Sequence, residues 1–382
     1  MSQFRSLISL SPLGLLYGSA GGFLSPENLV GRSNTKFPPD AATIAGLLLQ
    51  AMQEQGSAAV EQLKQEMVIA GPFWAERENP RRFYVPIPWH RVIEVDRDDE
   101  WVLRPKAKNS ESVANSDFST YLNQYQWHRD RPDLKPAFSW HCIQDWDLPT
   151  AQIRSQSVKP DPWDFVPFLH PKIKPDERHV VEENGLFLEN AVQMHEDSCL
   201  VYLSNLDPDL LSVLQGWHRL GGEGHLVELE SRELKSSHKL NKLLQQKITH
   251  ACALITPGVW GSNSLSRRYP QASSFPNRDL KMLTDKPIPF RYRTGRSASS
   301  DTSQSGYDSR RTGQLSRGRY AVPAGSVYVF RDPLNLSWWD FPDEWFPKEG
   351  FPLKHLGCGL CLPVEIQGTP QQVQGGELDE DR

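Results

Sequence analysis

The hydrophobic pattern at the N-terminus predicts a strand, then a long loop, then a helix. Residues 4–10 carry a strand pattern that runs into Pro12. The glycine-rich loop that follows has free backbone N–H groups and little side-chain bulk, so a polyanion can approach it closely. Its candidate binding residues are Gly18, Gly21, Gly22, Arg32, Asn34 and Lys36.

A helix is predicted to follow this loop, and Asp40 can cap its first turn. Its apolar residues recur at i, i+3 and i+4 spacing, so they share one face. They are Ile44, Leu47, Leu48, Ala51 and Met52. A second helical stretch is predicted at 60–67 and a strand at 83–87. Residues 104–137 are polar and 155–178 are rich in proline, so the first is predicted to be a long loop and the second a connection.

The second half of the chain has a more regular alternation of patterns. Strands are predicted at 199–203, 225–230 and 251–256, with a helix capped by Asp207 and another at 239–246. The first of these helices has an apolar face made of Leu210, Leu211, Leu214 and Trp217. A glycine turn ends it, and its candidate binding residues are Gly221, Gly222 and Gly224. This order of elements is typical of a ferredoxin-like sandwich.

These patterns predict the α+β class, with two ferredoxin-like (RRM-like) domains and long loop insertions. The N-terminal domain is expected over 1–185 and the C-terminal domain over 186–367. The C-terminal domain is expected to contain a basic insertion at 264–319. Residues 368–382 are polar and acidic and are predicted to be a disordered tail.

Composition narrows the class of protein. The chain has 382 residues, enough for two domains, and 30 prolines with 26 glycines indicate many loops. Five cysteines without a regular framework favour a reducing compartment. No apolar run approaches the length of a membrane span, so a cytoplasmic protein without membrane contact is expected. No motif indicates a cofactor.

Charge is distributed unevenly. The net charge is −5, yet residues 264–319 contain twelve basic and four acidic residues. Ten of the twelve are arginine, which suits bidentate phosphate contacts and stacking on bases. The segment is either a loop that orders on RNA or a solvated insertion, and the asymmetry favours RNA. Its candidate residues are Arg267, Arg268, Arg291, Arg293, Arg296, Arg310 and Arg311.

Two further motifs have a functional and a structural interpretation. Cys358 and Cys361 have the spacing of half a zinc site, but no second such pair exists, so a buried, reduced turn is favoured. The aromatic residues at 338–346 are interpreted either as a protein contact surface or as a loop packed over a sheet.

Several short motifs occur in the order seen in a known superfamily. They include Phe37-Pro38-Pro39, Ala70-Gly71-Pro72-Phe73, Tyr84-Val85-Pro86-Ile87-Pro88, Leu220-Gly221-Gly222-Glu223-Gly224, Ile255-Thr256-Pro257-Gly258 and Ala321-Val322-Pro323-Ala324-Gly325. Together they resemble the RAMP superfamily of CRISPR-associated proteins. Within it they are most similar to the third subunit of the type III-B CRISPR (Cmr) effector complex, a Cas-five-like family.

This resemblance implies a protein without catalysis that holds the 5′ handle of a CRISPR RNA. It also implies contacts with the large polymerase-like subunit and with the first backbone RAMP subunit. The first loop, the 221–224 turn and the loop after Thr256 are then expected to face RNA, and Gly357-Cys358-Gly359 resembles the family's late glycine-rich loop. Residues 15–20 lack the charged residues common in the family at that place.

Two alternatives stay open. One is a CRISPR RNA-processing endoribonuclease of the same superfamily, although the N-terminal histidine often used as its general base is absent before His90. The other is a scaffold whose basic segment contacts an acidic protein partner.

Overall fold

The computed structural model describes residues 3–17, 32–33, 37–56, 60–106, 121–171, 174, 179–180, 186–221, 224–262, 264–276, 279–294 and 314–369. The helices of this part are α1 (Ala41–Glu54), α2 (Val60–Glu66), α3 (Thr150–Gln156), α4 (Pro208–Ser212) and α5 (Lys239–Gln245). The strands are β1 (Ser6–Pro12), β2 (Leu16–Tyr17), β3 (Arg32–Ser33), β4 (Ile69–Glu76), β5 (Tyr84–Pro86), β6 (Arg91–Ile93), β7 (Asp98–Glu100), β8 (Val102–Pro105), β9 (Tyr125–His128), β10 (Trp140–Cys142), β11 (Val158–Lys159), β12 (Trp163–Pro171), β13 (Leu186–Met194), β14 (Ser198–Ser204), β15 (Gly216–Leu220), β16 (His225–Glu233), β17 (Ala251–Leu254), β18 (Trp260–Gly261), β19 (Ser266–Arg267), β20 (Leu280–Leu283), β21 (Ile288–Phe290), β22 (Arg293–Thr294), β23 (Gln314–Leu315), β24 (Arg319–Ala321), β25 (Val327–Phe330) and β26 (Cys361–Pro363).

The largest sheet has eight strands in the order β11-β10-β5-β4-β14-β1-β16-β15. Strand β1 lies inside it and pairs antiparallel with β14 on one side and β16 on the other. Helix α1 lies between β1 and β4 along the chain, and α4 lies between β14 and the β15–β16 hairpin. The order β4-β14-β1-β16 is the one that a βαββαβ chain forms in a ferredoxin-like sheet.

A second sheet has four strands in the order β20-β25-β17-β26, again antiparallel. Its strands follow the same connection pattern, but loops and short 3-10 turns take the place of long helices. The buried side chains of both sheets form one continuous hydrophobic cluster. The chain is therefore α+β with mostly antiparallel strands, which confirms the predicted class.

The large sheet contains strands from both sides of the predicted boundary at residues 185/186. Strands β14 and β16 come from the second half of the chain, and they flank β1 from the first half. The predicted unit of three strands at 199–203, 225–230 and 251–256 is also wrong as an arrangement. Its first two strands lie in the large sheet and its third, β17, lies in the other. The division into two domains stays a prediction.

Helix α1 is confirmed, and its predicted apolar face is buried. Asp40 stands at its N-cap position, but its side chain makes no capping hydrogen bond. The helix predicted after Asp207 is only five residues long. Trp217, placed on that helix by the sequence pattern, instead lies on β15 and is exposed, because α4 already ends at Ser212 and β15 begins at Gly216.

Two segments expected to be irregular contain paired strands. The predicted loop 104–137 includes β9, which pairs with β8. The predicted connection 155–178 includes β12, which pairs with β13 over nine residues. The predicted tail at 368–382 lies outside the described residues beyond Thr369.

The tryptophan-rich stretch is a packed loop rather than an exposed surface. Trp338 and Trp345 are both 1% exposed. The ring of Trp345 meets that of Phe275 edge-on, with centroids 5.0 Å apart, and Trp338 stacks on Phe4. These contacts tie the loop to the segment before β1 and to the segment before β20.

Candidate nucleic-acid interface

The two ends of the predicted glycine-rich loop are held on one strand. In β2, Tyr17 pairs with Ala191 of β13, and in β3, Arg32 pairs with Leu188 of the same strand. The loop thus leaves and returns at neighbouring points of β13. Of its candidate residues, only the backbone of Arg32 is described. Gly18, Gly21, Gly22, Asn34 and Lys36 lie outside the described residues.

Strands β12 and β13 form a hairpin that sequence reasoning missed. Phe165 and Leu169 point to one side of β12 and Phe168 to the other, and all three are exposed. A strand exposed on both faces stands away from the core. The hairpin therefore offers aromatic rings to solvent beside the ends of the glycine-rich loop. The aromatic pattern at 163–168 was the sequence signal for this hairpin, but the prolines nearby favoured an irregular connection.

Aromatic and polar contacts fix the C-terminal end of the loop. The ring of Phe37 meets that of Trp163 edge-on, with centroids 5.0 Å apart, at the base of the hairpin. The hydroxyl of Tyr202 donates a hydrogen bond of 2.6 Å to the carbonyl of Pro39. The entry to α1 is thereby attached both to the hairpin and to the large sheet.

Helix α1 lies against strands that lead to two of the other predicted binding regions. It follows the glycine-rich loop, and it lies against β15 and β22. Strand β15 leads into the 221–224 turn, where Gly221 and Gly224 have φ values of +71° and +69°. A Cβ on Gly221 would meet no atom within 4 Å, so its backbone is open to approach. Gly222 lies outside the described residues.

An exposed aromatic side chain lies among the described arginines of the basic segment. Arg267 and Arg268 are exposed at the end of β19. The backbone N–H of Tyr320 donates to Ser266 Oγ at 2.9 Å, which holds β24 beside β19. Tyr320 is 51% exposed and Leu265 is exposed nearby. Cations beside an aromatic ring are a suitable surface for single-stranded nucleic acid.

Other arginines of the basic segment lie at its base, where strands β22 and β23 pair. Arg291 Nε donates to the carbonyl of Ser316 at 2.9 Å, so part of this predicted phosphate contact is used inside the protein. Arg293 lies in β22, which pairs with β23 and closes the base of the segment; its side chain is not among those described. Arg296, Arg310 and Arg311 lie outside the described residues.

Comparison with known proteins gives the family. The family model of the CRISPR-associated protein (Cas_Cmr3) matches residues 16–361. The chain belongs to the Cas_Cmr3 family. The prediction of a CRISPR-associated family is confirmed, and the protein is a component of a CRISPR effector, whereas its identity as the third subunit of a type III-B complex stays a prediction. No curated protein matches the chain.

Solved structures similar to this Cas_Cmr3 chain share little sequence with it. A type III-B Cmr-beta chain bound to cognate target RNA and AMPPnP is 12% identical, with 85% of this chain and 86% of that chain covered and a TM-score of 0.43. A chain of the Csm3-Csm4 subcomplex of a type III-A interference complex is 11% identical, with 94% and 99% covered and a TM-score of 0.39.

Glycines in the loop after Thr256 and in the late glycine-rich loop are closely packed. A Cβ on Gly258, in the loop after Thr256, would meet Trp260 Nε1 at 2.6 Å. A Cβ on Gly357 would overlap Ala70, and one on Gly359 would overlap the ring of Trp260. These glycines permit close packing between β4, the Trp260 ring and the late loop. Gly258 therefore serves packing, and contact of the loop after Thr256 with RNA stays a prediction.

The cysteines of the late loop are also internal. Cys358 and Cys361 are buried and form no disulfide, and burial beside Cys252 holds the pKa of Cys361 well above its usual range. Among the described residues, no three His, Cys, Asp or Glu side chains form a group that could hold a metal ion. Nor is any described helix long and apolar enough to cross a membrane.

Three histidines differ in their burial. His90 and His141 are buried, and desolvation lowers the pKa of His141 to about 3 and that of His90 well below its usual range. Neither can reach a bound RNA. His195 is different: its Nε2 lies 3.4 Å from Asp164 Oδ2 at the base of the exposed hairpin, a placement that sequence reasoning missed.

Proposed function

We propose that the protein is a non-catalytic CRISPR RNA-binding subunit of a type III effector complex and holds the 5′ handle of the guide RNA in antiviral defence. In this role it contacts the large polymerase-like subunit and the first backbone RAMP subunit. One observation carries the proposal: β13 gathers the exposed β12–β13 hairpin and both ends of the glycine-rich loop into one sheet.

The two sheets are best interpreted as two ferredoxin-like units. The first uses β1, β4, β14 and β16, and the second uses β17, β20, β25 and β26, since both have the same strand order. The candidate interface then lies on insertions and connections of the first unit, beside the base of the basic segment. Loops on a rigid scaffold are the usual location of binding residues.

The mechanism is positional. Backbone N–H groups of the glycine-rich loop and of the 221–224 turn hold phosphates, and Arg267 and Arg268 add charge. Phe165, Phe168 and Tyr320 supply faces on which splayed bases stack. The arginines that hold the base of the segment, such as Arg291, act as positioning residues.

The test is a salt titration of repeat-handle RNA binding with the double variant Arg267→Gln and Arg268→Gln. Each phosphate contact to single-stranded RNA contributes about 0.7 to the slope of log K against log salt, so we expect the slope to fall by roughly 1.4. The matched control is Arg97→Gln, because Arg97 is exposed but paired with Glu94 at 2.6 Å. An unchanged slope in the double variant would remove these two contacts from the proposal.

The same RNA tests the alternative enzyme. Incubation of the purified protein with repeat RNA is expected to leave the RNA intact. Discrete fragments would contradict a non-catalytic role. In that case, loss of the fragments in His195→Ala would assign the general base to the His195–Asp164 pair.

A further inference from the structure

Strand β15 carries an exposed apolar patch at the edge of the large sheet. Trp217 is 70% exposed, and Leu226, on the neighbouring strand β16, is 44% exposed. Arg219 lies directly opposite Leu226 and shares a face with Trp217, two residues away. Leu13 is 46% exposed, and its N–H donates to the carbonyl of Leu226 at 3.0 Å. We call Leu13, Trp217, Arg219 and Leu226 the β15 patch.

The side chains of the β15 patch favour a protein ligand over RNA. Glu228 lies opposite Trp217 and pairs with Arg77 at 3.3 Å. Glu230, two residues further along β16, pairs with Arg232 at 2.9 Å. These ion pairs balance the charges beside the patch, so the patch contains Arg219 but no cluster of unpaired cations. The leucines present no flat ring for a base, whereas tryptophan and arginine are enriched at the centres of protein interfaces.

The strand itself has a free side. Strand β15 ends the sheet order, so among the described residues it pairs with β16 and with no strand on its other edge. An edge strand offers unpaired backbone groups to an added strand. Arg219 is exposed, and it forms no ion pair with the rest of the described chain.

We propose that the β15 patch docks an extended segment of a neighbouring protein subunit. That segment carries apolar side chains toward Trp217 and Leu226 and a carboxylate toward Arg219. It adds a strand to the edge of the sheet, so backbone hydrogen bonds supply affinity and the patch supplies specificity. The patch lies on the faces of β15 and β16, whereas the RNA handle is proposed to use β13, the basic segment and the backbone of the 221–224 turn that joins these two strands.

The first test is photo-crosslinking from a photoreactive phenylalanine at position 217 in the complete effector, assembled with its guide RNA. The expected product joins position 217 to a protein subunit, at a segment with apolar and acidic residues. A crosslink to RNA, or no crosslink, would overturn the proposal. The control places the photoreactive phenylalanine at position 95 instead, because Val95 is 66% exposed in the turn between β6 and β7.

The second test measures binding of the purified subunit found by the crosslink. Trp217→Ala with Leu226→Ala is expected to weaken its affinity at least tenfold, and Arg219→Glu is expected to weaken it as well. The variant with Trp217→Ala and Leu226→Ala is expected to bind handle RNA as the unaltered protein does, because it keeps Arg219 beside the 221–224 turn. A loss of RNA binding with no change in subunit binding would contradict the proposal, and thermal melting of each variant checks that the fold is kept.

Discussion

Arg319 and Glu349 form a buried ion pair at the base of the basic segment, with side chains only 4% and 16% exposed. Glu349 also accepts a hydrogen bond of 2.8 Å from the hydroxyl of Tyr292. Removal of one partner leaves the other charge buried without compensation. We expect Glu349→Ala to lower the free energy of unfolding by about 3 kcal/mol in urea titrations.

The control for this prediction is an exposed ion pair. Arg97 Nη1 lies 3.4 Å from Asp133, and both side chains are at least half exposed. Asp133→Ala is expected to change the free energy of unfolding by less than about 1 kcal/mol. Equal effects of the two variants would show that the Arg319–Glu349 pair does not hold the segment.

A second prediction concerns Gly357, which has a φ of +67°. An added Cβ would overlap Ala70 on β4, and the backbone conformation itself disfavours a side chain. Gly357→Ala is therefore expected to cost at least about 2 kcal/mol of unfolding free energy. Chemical denaturation measures it, and a neutral result would contradict the tight packing of the late loop on β4.

The matched glycine is Gly46 on α1. A Cβ there would meet nothing within 4 Å, and the backbone is helical. Because alanine favours a helix more than glycine does, Gly46→Ala is expected to raise the free energy of unfolding by about 0.5–1 kcal/mol. A melting temperature below that of the unaltered protein would contradict this placement of Gly46.

A third prediction follows from buried histidines. The pKa of His141 is about 3 in the folded protein against an ordinary value of 6.5, so the unfolded chain binds more protons between these pH values. Stability is fully present above pH 6.5 and falls as the pH drops toward 3. Each such histidine contributes up to about 1.4 kcal/mol per pH unit, and His90 acts in the same direction.

His141→Phe keeps a ring in the stack with Trp146, whose centroid lies 5.1 Å away, and removes the titrating group. We expect this variant to show a shallower loss of stability between pH 6.5 and pH 4 in urea titrations. His128→Gln is the control, because His128 is partly exposed on β9. Parallel pH profiles for the His141 variant and the unaltered protein would exclude this source of acid sensitivity.

A fourth prediction concerns the exposed hairpin. If bases stack on Phe165 and Phe168, replacing either ring with alanine lowers RNA affinity by about 1–3 kcal/mol. Both side chains are exposed, so melting temperatures are expected to stay nearly constant. Leu169→Ala on the same strand is the control, because it removes exposed apolar surface without a ring. Similar losses in RNA-binding titrations for leucine and phenylalanine variants would argue against stacking.

Elements with strong local patterns were predictable from the sequence. The apolar spacing of α1 and the strand pattern of β1 appear in the structure nearly as predicted. Local patterns carry no information on which strands pair, so the sequence did not reveal that β14 and β16 flank β1.

The missed hairpin has a specific physical cause. Prolines at 167 and 171 were interpreted as marks of an irregular connection. Strand β12 is an edge strand, where a missing N–H can face solvent without breaking a ladder. Gly357 and Gly359 also could not be interpreted from the sequence. Both glycines permit close packing, which depends on tertiary contacts.

Attachment of both loop ends to β13 has a consequence for how the loop could vary. Tyr17 and Arg32 meet that strand three residues apart, at Ala191 and Leu188, a separation of roughly 10 Å. Such an anchored loop can gain or lose residues at little cost, because closure entropy grows slowly with length. Related proteins could thus exchange this segment to suit different guide strands while the supporting framework stays the same.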